Sequence, residues 1–579
     1  MTSFFSELKR RNVFKIGVAY AIVAWLIVQV VSAIHTPLHL PGWFDTVTLV
    51  SLGIGFPIAL IITWAFELTP EGVKRTEPGP DKLKAVNETK AITSSAASDT
   101  PSIAVLPFAD MSPDKDQEYF ADGMTEEILN SLARIQDLQV SGRTSSFYFK
   151  DKNEDFRIIA EKLGVENILE GSIRKAGDQL RITAQLINAR SGYHLWSKTY
   201  DCKLDDIFAI QENIARAVAD ALQITLGIGD LGRVEGGTRN VEAYNELLQG
   251  RALSRNRTRE PVLRAIDHFE RAIELDPGFA LPWAALSDAY SFMPGVVEAE
   301  YKNTWMDKQS AALSRARELA PQAPAILAAT AVDFTRHQRW LDAERILENL
   351  IKGNRKVLTE LDYCYGFFLD TVGRPSEAIE YGRRFLRAEP LDPYAVTLLG
   401  VASAAAGDIP GALATFEDGI ARIGGQSAWP YGSAVNVAMA TDDHELIKRR
   451  VTSLIKLDPI GGPVHTAMLA LMDDRLAALA ELRRIFATTA VDIPLQRFVI
   501  ASWAAHFDDA ELALEALEDS LPKFIEIMSQ WTQPLFRDVR RLPGFKKVLR
   551  ETGLVDYWRS TGNWGEFCRP VGDDDFECI

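Results

Sequence analysis

Cysteine is scarce in this sequence, with only 4 among 579 residues. So few thiols in so long a chain exclude a fold that depends on a framework of disulfide bonds. A chain of this length also exceeds what one hydrophobic core supports, so several domains are expected.

An excess of positive charge is absent as well. The formal net charge is −16, from 63 Lys and Arg against 79 Asp and Glu. Because the binding of nucleic acid phosphates needs a basic face, this charge balance excludes nucleic acid as the main partner.

The motifs of the common enzyme classes are also missing. The sequence has no GxxxxGK[ST] loop, no HRD and DFG pair and no HExxH helix. Gly227, Gly229 and Gly232 match the dinucleotide fingerprint by letter, but they follow a predicted helix rather than a strand, so a linker is favoured. His35 and His39 have metal-like spacing without a third ligand. We therefore predict no catalytic residue, no cofactor and no metal, in a chain that is not an enzyme.

Two long apolar runs stand near the start of the chain, at residues 13–34 and 46–66. Each reaches the roughly 20 residues that a helix needs to cross a bilayer. Lys and Arg flank the pair of runs, whereas the connector has neither, so the positive-inside rule places both ends in the cytoplasm. Residues 1–70 are thus predicted to form a transmembrane helical hairpin, with the lipid bilayer as a partner. The predicted localisation is multi-pass in the bacterial inner membrane, with the soluble domains in the cytoplasm.

Beyond these runs, residues 71–100 are rich in Pro, Lys, Glu, Ser and Thr and predict a flexible linker. A small α/β domain is predicted at 101–225. The apolar run 102–108 is typical of a buried strand, and alternation within 166–201 predicts an antiparallel meander. The alternating apolar residues of that meander are Leu180, Ile182, Ala184 and Leu186.

The same domain resembles the TolB amino-terminal-like and FlgO-like domains of bacterial envelope and signalling proteins. The resemblance rests on SIAVLPFADMSPDKDQEYFADGMTEEILNSLARI, on GRTSSF, on LGVENILEGSIRKAGDQLRITAQLINARSGYHLWSKTYD and on DIFAIQENIARAVADAL. It implies a fold more than an activity, since domains of that group are not known as catalysts.

After a Gly-rich linker at 226–240, strand patterns give way to a helical repeat over residues 241–560. Its period is about 34 residues, with small residues, aromatics and Pro at fixed offsets, which indicates tetratricopeptide repeats stacked into an all-α solenoid. The residues that carry this structural signature are Ala265, Phe269, Ala272, Pro277, Trp283, Leu286, Tyr290, Gly400, Ala412 and Phe416.

The order of segments resembles bacterial two-span membrane proteins that couple a TolB-like domain to tetratricopeptide repeats. Relatives in that group often carry a class III cyclase or a winged helix at the N-terminus. Residues 1–12, which precede the first apolar run, leave no room for either module. The resemblance therefore implies neither activity for this chain.

The C-terminal tail, residues 561–579, contains Cys568 and Cys578. These two thiols could bond to each other, or bind a metal together with the aspartates at 573–575. In the reducing compartment that the predicted topology implies, free thiols are favoured. A disulfide here would contradict that topology.

The function expected from these features is a membrane-anchored, non-enzymatic scaffold or signalling adaptor whose repeats recruit a protein partner. The alternative is a sensor of a small molecule or of the state of the envelope, acting through the α/β domain. An enzyme of unrecognised type is the least favoured reading. The identity of the partner and self-association of the chain stay open at this point.

Overall fold

The structure, a computed structural model, describes residues 66–69, 72–75 and 100–579. The last range has short gaps at 136, 178, 225–234, 255–258, 294–301, 354–358, 426, 442, 490–493 and 522–528. The chain divides into two compact units, Met1–Ala97 and Ser98–Ile579.

The first unit contains a short antiparallel hairpin. Strand β1 (Phe66–Thr69) pairs with β2 (Gly72–Arg75), with Phe66 opposite Arg75. Strand β1 begins at the last residue of the second apolar run, and β2 lies within the predicted linker. Only Phe66, Leu68 and Val73 of these eight residues are apolar, so the sequence pattern did not indicate strands here.

The predicted transmembrane hairpin is contradicted. Within the part of the chain that the structure describes, no helix combines the length and the apolar character needed to cross a membrane. The predicted spans 13–34 and 46–66 lie outside the described residues except for Phe66. The fold class that included these spans, the multi-pass inner-membrane localisation and the bilayer as partner are corrected on this finding.

The second unit begins with a small sheet flanked by helices. Its strands are β3 (Ser102–Val105), β4 (Ala109–Asp110), β5 (Gln139–Val140), β6 (Asn167–Ala176), β7 (Gln179–Asn188) and β8 (His194–Lys203). Its helices are α1 (Glu118–Ala133), α2 (Arg143–Phe147), α3 (Phe156–Leu163) and α4 (Ile207–Ala221). The strand order is β5-β3-β6-β7-β8, with β4 beside β6. Strands β3, β4 and β5 form the parallel pairs, and β6 to β8 form the predicted antiparallel meander.

Alternating side chains give this sheet two buried faces. Ile103 and Val105 pack in the cluster that contains α1 and α4, whereas Ala104 and Leu106 pack in the cluster that contains α3. This two-sided burial explains the unbroken apolar run in the first strand. The alternating residues predicted for the meander are buried in the first of these clusters, as expected from a strand period of two: Leu180, Ile182, Ala184 and Leu186.

The helices that follow form a tetratricopeptide-like solenoid, in which consecutive helices pack against each other. The first eight are α5 (Val241–Ser254), α6 (Arg259–Leu275), α7 (Ala280–Phe292), α8 (Lys302–Leu319), α9 (Pro324–Arg336), α10 (Trp340–Lys352), α11 (Thr359–Thr371) and α12 (Pro375–Ala388). The next eight are α13 (Pro393–Ala405), α14 (Ile409–Ile423), α15 (Trp429–Met439), α16 (His444–Ile455), α17 (Gly462–Ala470), α18 (Arg475–Thr488), α19 (Pro494–His506) and α20 (Ala510–Ser520).

One contact recurs between the two helices of a pair. A Cβ atom built on Gly250 of α5 would lie 2.4 Å from the ring of Phe269 on α6. A Cβ built on Gly400 of α13 would lie 2.4 Å from the ring of Phe416 on α14. In both pairs the missing side chain lets an aromatic ring pack on the backbone of the neighbouring helix.

The C-terminal residues fold back onto the middle of the solenoid. They form 3-10 turns at Ser529–Thr532 and Pro534–Phe536, helices α21 (Arg537–Arg540), α22 (Pro543–Glu551) and α23 (Leu554–Thr561), and strands β9 (Cys568–Val571) and β10 (Asp575–Cys578). Three tryptophans stabilise this fold-back by donating hydrogen bonds to backbone carbonyl oxygens. Trp531 Nε1 donates to Thr371 O over 3.0 Å, Trp558 Nε1 to Val372 O over 2.9 Å, and Trp340 Nε1 to Thr552 O over 2.8 Å.

Cys568 and Cys578 form a disulfide bond, so the interpretation as free thiols is wrong. Strands β9 and β10 are antiparallel and place these two residues directly opposite each other, a register that the sequence pattern did not reveal. Phe576 is fully buried beneath this hairpin. A structural disulfide is at odds with the reducing compartment that the predicted topology required.

The α/β part is attached to the solenoid at two places. Tyr244 and Leu248 of α5 belong to the core cluster of the sheet, and a Cβ on Gly123 of α1 would lie 2.5 Å from the Leu248 side chain. The second place is the loop before α2, which meets the loop between α12 and α13. There Gly142 N donates to Ala388 O over 2.8 Å.

Candidate functional site

Two neighbouring helices of the solenoid each turn a stripe of side chains toward a shared cavity. On α11 the stripe is Tyr363, Phe367 and Asp370, at positions i, i+4 and i+7. On α13 the stripe runs from Tyr394 to Val401 with the same spacing. Since residues with these offsets lie on one helical face, each helix presents a continuous line of contacts.

The cavity between these stripes is about 50 Å³ in volume. We call it the aromatic pocket, and its remaining lining residues are Thr397, Leu398, Trp429, Ser529 and Gln530. This volume exceeds what a single water molecule requires, so the space is large enough for part of a side chain.

The aromatic pocket has an accessible mouth and a buried floor. Tyr394 at the mouth is 46% exposed, and Trp429 at the start of α15 is half-buried. On the floor, Val401 and Gln530 are buried, and Asp370 is 1% exposed. The aromatic rings at the mouth contact each other, with 5.6 Å between the ring centroids of Tyr363 and Tyr394. A partner side chain can therefore enter between rings and end at a carboxylate.

Asp370 has only a weak hydrogen-bond contact among the residues that the structure describes. Its Oδ1 atom lies 3.4 Å from Thr532 Oγ1, which is at the limit of a hydrogen bond. Thr532 Oγ1 also lies 2.6 Å from Ser529 O, so its single hydrogen is directed to that carbonyl. Among the described residues, no Lys, Arg or His forms an ion pair with Asp370.

This environment disfavours the ionised form of Asp370. Burial raises the pKa of its carboxyl to about 8, and the negative charge of Glu566 adds to the shift. A buried acid that costs stability and lies in a cavity is the type of group that functional sites retain.

A second buried acid lies where the α/β part meets the solenoid. Glu389 follows α12, and its carboxylate accepts hydrogen bonds from Thr144 N over 3.1 Å and from Ser145 N over 2.7 Å. Ser145 Oγ in turn accepts from Leu391 N over 3.0 Å. Burial raises the pKa of Glu389 to about 7 despite these backbone donors, and the negative charge of Asp392 contributes.

This contact is connected to the aromatic pocket through a short stretch of backbone. Asp392, three residues after Glu389, caps α13 by accepting from Tyr394 N over 2.6 Å and from Ala395 N over 3.2 Å. The same Tyr394 forms part of the pocket mouth. The segment GRTSSF, which the sequence resemblance singled out, thus holds the loop that positions the start of α13.

The residues of the predicted repeat signature lie elsewhere in the solenoid, and none lines the aromatic pocket. Ala265, Phe269 and Ala272 are buried in α6, Leu286 and Tyr290 in α7, Gly400 in α13, and Ala412 and Phe416 in α14. Trp283 is half-buried, and Pro277 is exposed between α6 and α7. Ala265, Phe269, Leu286 and Tyr290 belong to one hydrophobic cluster of the solenoid, and Ala412 and Phe416 belong to another.

Sequence reasoning did not identify the residues of the aromatic pocket. The available signal was the spacing of Tyr363, Phe367 and Asp370 in one helix, where an acid follows two aromatics on a single face. Ser529 and Gln530 lie more than 120 residues beyond the lining residues of α11 and α13, and local sequence patterns do not reveal such a contact.

Metal and dinucleotide chemistry find no support in the described ranges. No cluster of three or more His, Cys, Asp or Glu side chains in those ranges is placed to hold a metal ion. Gly227, Gly229 and Gly232 lie outside the described residues, as do His35 and His39.

Comparison with known proteins found no matching family model. The chain is 39% identical over 224 residues to a protein of Rhizobium meliloti (strain 1021) named Putative adenylate cyclase 3. That match covers 38% of this chain and 37% of the relative, so the chain spans little more than a third of that protein's length.

PilW and YrrB are among the solved structures that are similar to parts of the chain. PilW, a type IV pilus biogenesis factor, is 17% identical with a TM-score of 0.32, over 37% of this chain and 92% of its own. YrrB, described as a TPR protein with an unusual peptide-binding site, is 20% identical with a TM-score of 0.25, over 36% of this chain and 97% of its own. Both TM-scores are below 0.5, so neither neighbour carries a functional conclusion.

Proposed function

We propose that this chain is a non-enzymatic protein-interaction scaffold or signalling adaptor that recruits a protein partner through its helical repeats. The observation that carries the proposal is the aromatic pocket on α11 and α13. Its mouth is accessible at Tyr394 and its floor ends in the buried Asp370. Aromatic side chains around a small number of polar groups are typical of sites that anchor a partner side chain.

The structural role of the repeat signature follows from the same proposal. The signature residues pack the helices, and stacked helices keep the stripes on α11 and α13 in register. The stability of a repeat array depends on contacts between neighbouring repeats. A packing defect at a signature residue would therefore alter the pocket although that residue does not line it. We therefore assign Ala265, Phe269, Ala272, Leu286 and Phe416 to the support of the recruiting surface.

A second function, the sensing of a signal by the α/β part, is favoured by one contact. Glu389 binds the backbone of Thr144 and Ser145 and lies three residues before the cap of α13. A ligand that shifts the start of α2 would therefore move the helix that carries Tyr394. The resemblance of this α/β part to TolB amino-terminal-like and FlgO-like domains belongs to the same proposal.

Cyclase activity is not part of the proposal. The relative named as an adenylate cyclase is matched over 37% of its length. The geometry of Asp370 and its aromatic neighbours supports the binding of a side chain. No described group around it supplies an obvious nucleophile or metal ligand.

Site-specific photo-crosslinking tests the proposed recruitment. The full chain carries p-benzoylphenylalanine in place of Tyr394, and a matched control carries it in place of Leu476, which is 82% exposed on α18. We expect a discrete protein adduct from position 394 that is absent from position 476. Equal adducts from both positions, or none from position 394, would refute recruitment through this surface.

A further inference from the structure

We propose that the aromatic pocket binds the cationic side chain of a lysine or arginine from the partner, with Asp370 as its counter-ion. This inference rests on the proposed function and specifies the chemistry of the partner at the same site. The juxtaposition that carries it is a buried carboxylate that forms no ion pair within the described ranges, beneath a ring of accessible aromatics.

The first argument is charge complementarity at Asp370. A buried carboxylate is stable in its charged form only when it is paired or fully hydrogen-bonded. In the described structure Asp370 has one distant contact, to Thr532 Oγ1 at 3.4 Å, and no cation. A lysine ammonium or arginine guanidinium that enters the pocket supplies both the missing charge and the missing donors.

The second argument is the aromatic lining. Phe367 precedes Asp370 by three residues, about 4.5 Å along the helix axis, so a ring lies directly beside the approach to the carboxylate. Tyr363, Tyr394 and Trp429 complete the mouth. Rings of this type attract cations to their faces and also cover the methylene stem of a long basic side chain.

The third argument concerns the chain as a whole. Its formal net charge of −16 attracts basic partners over longer distances. An apolar side chain would also fit between the rings, but it would leave Asp370 buried and unpaired. Above the pKa of Asp370, which is about 8, an acidic side chain would meet a like charge. The pocket therefore selects a basic residue on electrostatic grounds.

Three short blocked peptides test this selection against the full chain. They are acetyl-Gly-Ser-Xaa-Ser-Gly-amide with lysine, arginine or norleucine at Xaa. Norleucine keeps the stem of lysine and lacks its charge, and the blocked ends remove terminal charges. Ligand-observed NMR titration at pH 8.5, where Asp370 is more often ionised, measures the three affinities. We expect the lysine or arginine peptide to bind roughly ten- to a hundredfold more tightly than the norleucine peptide.

Two variants identify the counter-ion. Asp370→Asn keeps the shape of the side chain and removes its charge, and we expect it to abolish the preference for the basic peptides. It should fold at least as well as the wild type, because it removes a charge that burial disfavours. Glu380→Gln is the matched control: Glu380 is exposed on the neighbouring helix α12, so the same loss of one charge should leave the preference unchanged.

A third variant tests the aromatic mouth of the pocket without changing Asp370. Tyr394 is half-exposed, so Tyr394→Ala should fold, and it should weaken the lysine peptide several-fold by removing one ring from the mouth. Equal binding of the lysine, arginine and norleucine peptides by the wild type would overturn the inference, as would the absence of binding by all three. If these peptides fail but photo-crosslinking from position 394 succeeds, recruitment stands and only the cationic specificity falls.

Discussion

The contact between Gly400 and Phe416 provides a sharp test of how the repeats are packed. A Cβ on Gly400 would lie 2.4, 2.6 and 2.8 Å from three ring carbons of Phe416, whose side chain is fully buried. Carbon atoms in ordinary contact are about 3.5–4.0 Å apart, so the ring would have to move by about 1 Å. We predict that Gly400→Ala destabilises the α13–α14 pair.

The magnitude follows from two opposing effects. Overpacking of a closed core costs about 1–3 kcal/mol. The greater helix propensity of alanine over glycine offsets about 1 kcal/mol of this cost. The net expectation is a loss of up to about 2 kcal/mol in the free energy of local unfolding. In a Phe416→Leu background the three ring carbons are absent, so the same Gly400→Ala change should become neutral or stabilising by up to about 1 kcal/mol.

Hydrogen exchange measured by mass spectrometry can compare the effect of Gly400→Ala in the wild-type and Phe416→Leu backgrounds, because repeat arrays open locally. Peptides that cover residues 393–423 report on the pair, and peptides from β6 to β8 serve as an internal reference. Gly432→Ala on α15 is the matched control, since a Cβ there would meet no atom within 4 Å. If Gly400→Ala has the same effect in both backgrounds, or stabilises the wild type as Gly432→Ala should, the packing argument is refuted.

Three further predictions concern buried and bonded groups. Because Glu389 has a native pKa of about 7, above its ordinary 4.5, its contact with the start of α2 should be strongest below pH 4.5 and weaken as the pH rises through 7, by up to about 3 kcal/mol. Glu389→Gln should remove this pH dependence from the hydrogen exchange of residues 142–147, corrected for intrinsic rates, and a dependence that survives would contradict the assignment. Burial lowers the pKa of His465 to about 4, so its stabilising effect should be present above pH 6.5 and lost as the pH falls toward 4. The difference between the urea midpoints at pH 7 and pH 5 should therefore be smaller in His465→Gln than in the wild type. An unchanged difference would show that His465 does not cause this pH dependence. Reduction of the bond between Cys568 and Cys578 should cost roughly 3 kcal/mol locally, visible as faster exchange at 568–578, whereas a Cys568→Ser/Cys578→Ser variant should show no response to reductant.

The sequence predicted those parts of the fold that depend on local periodicity. Alternation at Leu180 to Leu186 identified the meander, because a strand with two chemically different faces must alternate. The recurring spacing of small and aromatic residues identified the helical repeats, because paired helices approach closely only where a side chain is small. These features depend on residues within one or two elements.

Local sequence patterns did not identify the aromatic pocket, and they led to the incorrect transmembrane prediction. Asp370 resembles any acid at the end of a helix until Ser529 and Gln530 bury it, and that burial depends on tertiary packing. The membrane prediction used the length of the apolar runs and the positive charges that flank them. At Phe66 the described backbone is a strand, and hydrophobic content does not distinguish the two conformations.

The fold-back of the C-terminal residues has a consequence for how the chain acquires its structure. Trp340 and Thr552, joined by one hydrogen bond, are separated by 212 positions. A simple solenoid grows by contacts between neighbours and can form progressively during synthesis. In this chain, helices α10 and α11 form contacts with C-terminal residues that are synthesised much later. Contacts of such long range slow folding. Until the C-terminal residues are synthesised, the surface around Thr371 and Val372 that contacts Trp531 and Trp558 is exposed. We therefore expect chaperones to bind the middle of the solenoid during synthesis.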